Sequence, residues 1–324
     1  MKNITKIITG SALVLSFSMS TAFAQVVTVA SGAQGSLAFN TGQAVAKVAN
    51  EAGITARTQP LVGYLPLINS GEVDFGFSNA VEAAYAMTGT GNYDRKNPNL
   101  RLVGVMFPLS TGLMAPCDLG IKSVADLKAK ASGLRIASEY TSSTIIPFYI
   151  RGGLANGGMK YEDFKQVPVA SFVAGIKALG DGLVDVALVS LNSGAGKQSA
   201  VKLKSRGGLC YVSLDKSDAG LAAFKEFLPA GKVISVSQNE NINGMQKNGA
   251  NIMSIPWMML TSSSVGEDLV YKITKTIAEN KEALKKSFGA FGRANRDKMA
   301  PANGVPYHPG ALKYYSEVGI KVGK

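Results

Sequence analysis

The sequence carries one segment twice, and this repetition limits the folds that the chain can adopt. Residues 67–79 end a helical pattern at a glycine and pass through Val-Asp, with the acid at Asp74, into an apolar strand pattern. Residues 179–190 repeat that order around Asp185. A chance match of helix-to-strand turn chemistry is the alternative explanation. We expect two lobes of similar construction, with the two copies in separate sheets.

Strand-like and helix-like segments alternate along the chain. Short apolar runs of buried-strand length recur between amphipathic segments, which favours α/β units with mainly parallel sheets. The predicted strands are residues 26–30, 55–59, 73–77, 100–106, 134–138 and 184–189.

Capping patterns locate several helix starts. Ser123 with Asp126, and Ser264 with Glu267, have the spacing of a capping box. A further helix is predicted over residues 144–156, where a proline in the first turn is tolerated.

The N-terminus has the parts of a secretory signal peptide. Lys2 and Lys6 precede an apolar run over residues 7–17, and small residues then offer a cleavage site before Gln25. An uncleaved anchor is the alternative, but the run is too short for one. We expect residues 1–24 to be a cleaved signal peptide and the mature chain to be periplasmic.

The composition excludes several classes of protein. The chain has 324 residues, of which 46% are apolar and 17% charged, and no later run is long enough to span a membrane. The net charge of +12 comes from lysines and arginines scattered along predicted helix faces, without interleaved aromatic residues. We therefore expect no nucleic-acid partner, and a basic surface that favours anions.

Few residues in the chain suit catalysis or metal binding. One histidine, His308, and two cysteines leave too few ligands for a typical zinc site, and no nucleophile motif accompanies the histidine. We expect no enzyme activity, no metal and no cofactor. Cys117 and Cys210 allow one disulfide in an oxidising compartment or two separate thiols, and the sequence does not decide between them.

Polar residues follow several predicted strands. Ligands bind outside the carboxyl ends of strands in open α/β sheets, which places Asn79 and, in the second copy, Ser190 and Asn192 at a cleft between lobes. Residues 35–40 and the hydroxyl-rich residues 141–144 each precede a predicted helix, whose first amides favour a carboxylate. Plain capping is the alternative function of both loops.

The order and spacing of several pieces resemble the TAXI family, the TRAP-associated extracytoplasmic immunogenic solute receptors. The pieces span essentially the whole mature chain and are residues 35–42, 70–76, 120–128, 269–275 and 306–315. The resemblance implies a type II periplasmic-binding-protein fold, with two α/β lobes joined by hinge crossovers around a ligand cleft. It also implies delivery of a small organic anion to a TRAP transporter.

The chain departs from the family pattern at the positions that the resemblance assigns to the pocket. Ala38, Phe39 and Leu61 replace hydroxyl-bearing residues, Tyr64 replaces an asparagine, and Asn79 replaces a glutamine. These changes argue against glutamate and favour an acid with an apolar or aromatic portion. The predicted ligand-binding residues are Gly35, Ser36, Phe39, Asn40, Tyr64, Asn79, Glu139, Tyr140, Thr141, Ser142, Ser143, Thr144, Ser190 and Asn192.

The lobes are predicted from the same comparison. Residues 25–113 and 255–324 are assigned to lobe I and residues 114–254 to lobe II, although residues 231–251 have little periodicity at the return crossing. We expect a monomeric receptor that delivers a small organic acid to the membrane subunits of a TRAP transporter. The binding protein of an ABC importer for sulfonates or thiamine precursors is the alternative, and an exported enzyme is the least favoured.

Overall fold

The computed structural model describes residues 26–191, 193–238 and 244–323, so the predicted signal peptide and Asn192 lie outside the described residues. The strands are β1 Val27–Ala30, β2 Ala56–Gln59, β3 Phe75–Asn79, β4 Leu100–Pro116, β5 Arg135–Glu139, β6 Lys165–Val169, β7 Ala187–Ser190, β8 Leu209–Tyr211, β9 Lys232–Val236 and β10 Ala250–Ser262. The helices are α1 Leu37–Glu51, α2 Leu65–Ser70, α3 Ala80–Thr88, α4 Val124–Lys130, α5 Ile146–Asn156, α6 Phe172–Gly180, α7 Gly194–Lys202, α8 Asp218–Phe227, α9 Glu267–Glu279, α10 Lys281–Ser287 and α11 Pro309–Glu317.

Two similar α/β lobes form the molecule, as the sequence predicts. In lobe I, β1 pairs in parallel with both β2 and β3, and β10 runs antiparallel beside β3. In lobe II, β5 pairs in parallel with β6 and bridges in parallel to Val186 just before β7, and β4 runs antiparallel beside β7. Each lobe therefore has the same strand order, closed by one antiparallel strand.

Two long strands pass between the lobes. β4 has 17 residues and β10 has 13, and they pair with each other antiparallel. Because of this pairing, β3 and β7 belong to one hydrogen-bonded sheet. The expectation of separate sheets is therefore wrong, whereas the predicted lobe boundaries stay a prediction. Pro108 lies opposite Pro256 in this pair, and neither residue can donate a ladder hydrogen bond.

The repeated Val-Asp pair has the same role in both lobes. The Asp74 carboxylate accepts hydrogen bonds from the Thr28 amide and hydroxyl on β1, both at 2.7 Å. The Asp185 carboxylate accepts from the Arg135 amide at 2.9 Å and from the Arg135 guanidinium. In each copy the aspartate anchors the first strand of its lobe to the third.

Some element boundaries differ from the predictions. β4 continues to Pro116 rather than ending at residue 106, and β9 forms in the segment with little periodicity. The capping box at Ser123 is confirmed. The one at Ser264 is wrong, because Gly266 precedes α9 and the Ser264 hydroxyl bonds Ser262 at 2.9 Å instead.

The two cysteines form a disulfide within lobe II. Cys117 follows β4 and Cys210 lies on β8, with 5.0 Å between their Cα atoms. The sequence left open one disulfide or two separate thiols, and the structure has the disulfide. Across the part of the chain that the structure describes, no helix has both the length and the apolar character to cross a membrane.

Candidate ligand-binding cleft

A cavity of about 200 Å³ lies between the lobes. The starts of α1, α2 and α3 in lobe I face the starts of α5 and α6 and the end of β7 in lobe II across it. Leu109, Thr111 and Trp257 of the crossing strands complete the wall. The cavity therefore lies where the carboxyl ends of the parallel strands of both lobes meet, as expected for a ligand site in an α/β protein.

Most of the wall is apolar. Aromatic and aliphatic side chains from both lobes contribute, and the Trp257 indole is held in place by a 3.1 Å hydrogen bond from its Nε1 to the Thr41 hydroxyl. Such a wall favours a ligand with an apolar body. The apolar lining residues are Leu37, Ala38, Leu61, Val62, Leu65, Phe77, Leu109, Ile145, Ile146, Phe172, Val173, Leu188 and Trp257.

Two helices present capped N-termini to the cavity. The Ser36 hydroxyl accepts from the Phe39 amide at 3.1 Å at the start of α1, and the Ser171 hydroxyl accepts from the Ala174 amide at 3.2 Å at the start of α6. The amides of Leu37 and Val173 have no acceptor among the described residues. First-turn amides together with the helix dipole provide hydrogen-bond donors for an anionic group.

Ser143 joins the starts of two helices in lobe II. Its hydroxyl accepts from the Phe172 amide at 3.2 Å, and Ser142 donates to the Ala170 carbonyl at 2.7 Å. These bonds fix the loop before α5 against the start of α6. Because it serves only as an acceptor there, the Ser143 hydroxyl keeps its own proton available to a ligand.

A small side pocket adjoins the cavity and contains a cationic residue. The two spaces share Leu37, Leu109, Phe172 and Ser190 in their walls, and Arg293 lines the side pocket. Its guanidinium lies 5.8 Å from the centre of the Phe107 ring. Burial lowers the pKa of Arg293 from its ordinary value. Because Gly35 and Leu37 line the same side pocket, the Arg293 side chain lies beside the start of α1.

Glu82 on α3 forms a polar cluster inside the cavity. Its Oε2 accepts from the Ser78 hydroxyl at 3.0 Å and from the Asn79 amide at 3.3 Å, and its Oε1 accepts from the Tyr93 hydroxyl at 3.1 Å. Burial raises the pKa of the Glu82 carboxyl above its usual value, although hydrogen bonds from Ser78, Tyr93 and Asn92 oppose that rise.

Two further tyrosines lie near this carboxyl. The Tyr64 hydroxyl donates to the Phe77 carbonyl, which holds the ring against the cavity wall. Tyr149 on α5 is 2% exposed and lines the cavity, and its hydroxyl has no hydrogen-bond partner among the described residues. Burial, and then the charge of Glu82, raise the pKa of both tyrosines.

One edge of the cleft is bridged by contacts between the lobes. The Tyr85 and Phe148 rings lie 5.3 Å apart, and the Tyr85 hydroxyl donates to the Phe227 carbonyl at 3.3 Å. The Asn92 amide donates to the Thr144 hydroxyl at 3.0 Å. These contacts bring the loop after α3 onto α5 and α8 and close that edge.

The structure divides the predicted site residues that it describes into three groups. Gly35, Asn40 and Ser190 line the side pocket, and Ser190 also lines the cavity. Phe39, Glu139, Tyr140, Thr141 and Thr144 line neither space. Asn192 lies outside the described residues. The remaining predicted residues, which line the cavity, are Ser36, Tyr64, Asn79, Ser142 and Ser143.

Local packing explains why two of these residues turn away from the cavity. Tyr140 is 0% exposed, and its ring packs against Gly175 of α6 so closely that a Cβ there would meet the tyrosine hydroxyl at 2.7 Å. Thr144 is engaged by Asn92 from lobe I. The hydroxyl run over residues 141–144 is therefore divided: Ser142 and Ser143 line the cavity, Thr144 joins the bridge and Thr141 is exposed.

Four residues that line the cavity were not among the predicted site residues, namely Glu82, Tyr93, Tyr149 and Ser171. Glu82 stands three positions after Asn79 and has the spacing of a helix cap, which gives no sign of a cavity. Ser171 gives the same local signal at α6. Within the described residues, no three or more His, Cys, Asp or Glu side chains come together as metal ligands.

A cavity between two α/β lobes that share crossing strands defines the fold of the periplasmic solute-binding proteins. The structure is similar to MatC from Rhodopseudomonas palustris with bound malate, with a TM-score of 0.55, 11% sequence identity, and 82% of this chain and 88% of that chain covered. It is also similar to a TctC solute-binding protein from Polaromonas, with a TM-score of 0.52, 11% sequence identity, and 92% of this chain and 99% of that chain covered. The periplasmic binding protein BugD has a TM-score of 0.55 and 12% sequence identity to this chain, with 91% of this chain and 98% of that chain covered.

The family match is more specific than these structural similarities. The NMT1-like family profile matches residues 29–319, which is nearly the whole described chain. The chain therefore belongs to the NMT1-like family.

Proposed function

We propose that this chain is an exported receptor that captures a small organic acid in the interlobe cleft and delivers it to a membrane transporter. The cavity between the lobes carries this proposal, because it combines an apolar wall with helix starts from both lobes. Its volume of about 200 Å³ suits a small solute. The fold shared with periplasmic binding proteins supports a periplasmic location.

The acid group of the ligand is assigned to the side of the cleft nearest α1 and α6. The unpaired amides of Leu37 and Val173 and the Ser143 hydroxyl are donors there. Arg293 in the adjoining pocket adds positive charge on that side. Helix-start amides together with a guanidinium are donors that suit a carboxylate.

The rest of the ligand is assigned to the apolar wall. Phe172, Leu188 and Trp257 lie around the cavity and leave few partners for a second carboxylate. This wall supports an acid with an apolar or aromatic portion rather than glutamate. A buried side-chain carboxylate without hydrogen-bond partners would weaken binding strongly.

The transporter is assigned to the TRAP class, on the resemblance of the ordered sequence pieces to the TAXI receptors. An ATP-driven importer is the second candidate, because the matched family is described only as NMT1-like. Co-purification with the permease encoded beside this chain, followed by transport in vesicles with either an ion gradient or ATP, separates the two.

Identification of the bound solute tests the binding function directly. Native mass spectrometry of the purified chain should show one co-purified small molecule, and its identity then guides a thermal-shift series of carboxylates. A ligand at about a hundredfold over its Kd should stabilise the fold by about 2.7 kcal/mol.

Matched variants show whether the stabilisation comes from this cleft. Ser171→Ala changes a cap that lines the cavity, whereas Ser217→Ala changes an equivalent cap of α8 that does not. We expect weaker binding only for Ser171→Ala. Equal affinity in both variants, or stabilisation by neutral compounds alone, would contradict the proposed site or the proposed ligand class.

A further inference from the structure

Glu82 is the single charged side chain among the described residues that line the main cavity. No lysine, arginine or histidine of the described chain lies within 4.0 Å of its carboxyl oxygens. A carboxylate removed from bulk water without a cation is unfavourable. The cavity therefore contains an acid with no counter-charge from the described protein.

The hydrogen bonds of Glu82 all come from uncharged groups. The Asn79 side-chain amide donates to the carboxyl, and the Ser78 and Tyr93 hydroxyls lie within hydrogen-bond distance of it. The Asn92 side chain is a further uncharged hydrogen-bond partner of the carboxyl, so none of these groups supplies a positive charge.

The Tyr149 hydroxyl is a second unsatisfied group in the same cavity. It belongs to lobe II, is buried to 2% exposure, and has neither donor nor acceptor among the described residues. A buried hydroxyl without a partner is unfavourable, so its position beside the cavity points to a ligand group. Glu82 belongs to lobe I, so a ligand that reaches both residues would join the two lobes.

We propose that Glu82 and Tyr149 together bind a basic nitrogen of the solute, with one N–H donated to the Glu82 carboxylate and another to the Tyr149 hydroxyl oxygen. This inference rests on the proposed receptor function and makes its ligand an ampholyte. The ligand then has a carboxylate at the helix starts, an apolar body against the wall and an ammonium or protonated ring nitrogen at Glu82.

Glu82 also changes the argument drawn from the sequence. The loss of hydroxyl-bearing residues at positions 38, 39 and 61 argued against glutamate, because the ammonium of a polar amino acid would lack partners there. Glu82 supplies that partner from α3, outside the compared motifs. Apolar amino acids and acids that carry a nitrogen heterocycle therefore enter the candidate class, whereas the exclusion of a second carboxylate still applies.

Matched ligand triplets test the inference. Each triplet consists of an amino acid, its deaminated acid and its decarboxylated amine, with leucine and phenylalanine as the branched and aryl members, and nicotinate is compared with benzoate. Thermal shift and calorimetry measure binding to the wild-type chain, Glu82→Gln, Tyr149→Phe and the control Glu72→Gln. Glu72 is exposed and bonds only Ser70 at 2.8 Å.

We expect the ampholyte of a triplet to bind the wild-type chain more tightly than its deaminated acid. Glu82→Gln should weaken ampholyte binding by roughly tenfold to a hundredfold, because a bond to a charged group is lost. The same variant should bind the deaminated acid as tightly as the wild type or more tightly. Tyr149→Phe keeps the ring in the core and should weaken ampholyte binding by a smaller factor. Glu72→Gln should bind the ampholyte as tightly as the wild type.

Several results would overturn the inference. A deaminated acid that binds as tightly as its ampholyte, an unchanged affinity in both Glu82→Gln and Tyr149→Phe, or a co-purified ligand without nitrogen each contradicts it. Tight binding of the amine alone, lost in Glu82→Gln, would keep the Glu82 assignment and reject the organic-acid function. A chain that carries no ligand and is stabilised by no compound would contradict both the proposed receptor function and the nitrogen site at Glu82 and Tyr149.

Discussion

The two lobes build matching walls of one cleft and hold those walls in different ways. Each lobe has three parallel strands with an antiparallel fourth, and each places helix starts at the cavity. Lobe I anchors its first strand through Asp74 and Thr28, whereas lobe II uses Asp185 with the backbone and guanidinium of Arg135. The same topology therefore tolerates a neutral or a charged partner for the anchoring aspartate.

The turn after the first strand differs most between the lobes. In lobe I, Gly32 follows β1 with φ of +63°, which glycine adopts without penalty. In lobe II, Glu139 and Tyr140 occupy the same place with φ of +64° and +53°. Left-handed backbone at residues with a Cβ is unfavourable by about 1–2 kcal/mol each. Lobe II therefore holds a strained turn where lobe I has a relaxed one.

Lobe II also contains the disulfide, and its removal should give the largest difference between the lobes. We expect Cys117→Ser combined with Cys210→Ser to lower the free energy of unfolding by about 2–5 kcal/mol, because the crosslink closes a long loop. Urea denaturation followed by circular dichroism measures the change. Ligand affinity should stay the same, since neither cysteine lines the cavity.

A change below about 0.5 kcal/mol would show that the crosslink contributes nothing beyond the packing of lobe II. A loss of affinity at unchanged stability would instead show that the disulfide sets the geometry of the cleft.

The aspartate anchors give the next largest contrast. Asp185→Asn should destabilise the fold by about 1.5–3 kcal/mol, because it removes hydrogen bonds from a charged partner. Asp74→Asn should be milder, at about 1 kcal/mol, because its partners are the neutral amide and hydroxyl of Thr28. Thermal denaturation of the two variants measures both effects, and equal losses would contradict a distinction based on charge.

The same contrast should depend on pH. Burial of Asp185 opposes its charge, but hydrogen bonds from the Arg135 side chain and backbone hold the pKa of Asp185 below its usual value. A lowered pKa contributes stability above the unfolded value of about 3.9, which is lost as the pH falls through the folded pKa. The gap between wild type and Asp185→Asn should therefore shrink below about pH 4. A gap that widens on acidification would contradict this sign.

Variants of the N-cap serines test whether the helix starts at the cleft bind the ligand in addition to being capped. Ser36→Ala should destabilise the fold by about 1 kcal/mol, since it removes one cap bond. The control Ser217→Ala should destabilise it at least as much, since the Ser217 hydroxyl caps α8 and also donates to Asp215. Ser36 lines the cavity and Ser217 does not, so ligand affinity should fall only for Ser36→Ala. Paired denaturation and calorimetry separate the two effects, and parallel behaviour of the variants in both measurements would reduce Ser36 to a cap.

Local patterns in the sequence predicted much of this architecture. The Asp74 and Asp185 repeat predicted two similar lobes, and Ser123 with Asp126 predicted one helix start to the residue, because caps depend on near neighbours. The continuation of β4 beyond residue 106 was not predicted, since Pro108 interrupts its apolar run and a strand through both lobes requires β10 as a partner.

Individual site residues were predictable where a loop precedes a helix or where a strand ends, as at Asn79 and Ser190. Ser36 and Ser143 belong to such loops, whereas the Glu82 cluster depends on contacts between distant segments. Tyr93 reaches Glu82 from the loop after α3, and Tyr149 approaches from the other lobe. No spacing along the chain encodes that arrangement, because it exists only once the lobes are packed against each other.

The strained turn of lobe II gives the smallest expected effect. Glu139→Gly should stabilise the fold by about 0.5–1 kcal/mol, because relief of the left-handed strain exceeds the added entropy of glycine in the unfolded chain. The control Glu226→Gly makes the same chemical change within α8, where the backbone is helical, and should destabilise by about 0.5–1 kcal/mol. Thermal denaturation of both variants should therefore give shifts of opposite sign. Destabilisation of similar size in both would mean that the turn is not strained at Glu139, and the contrast with Gly32 in lobe I would then lose its energetic meaning.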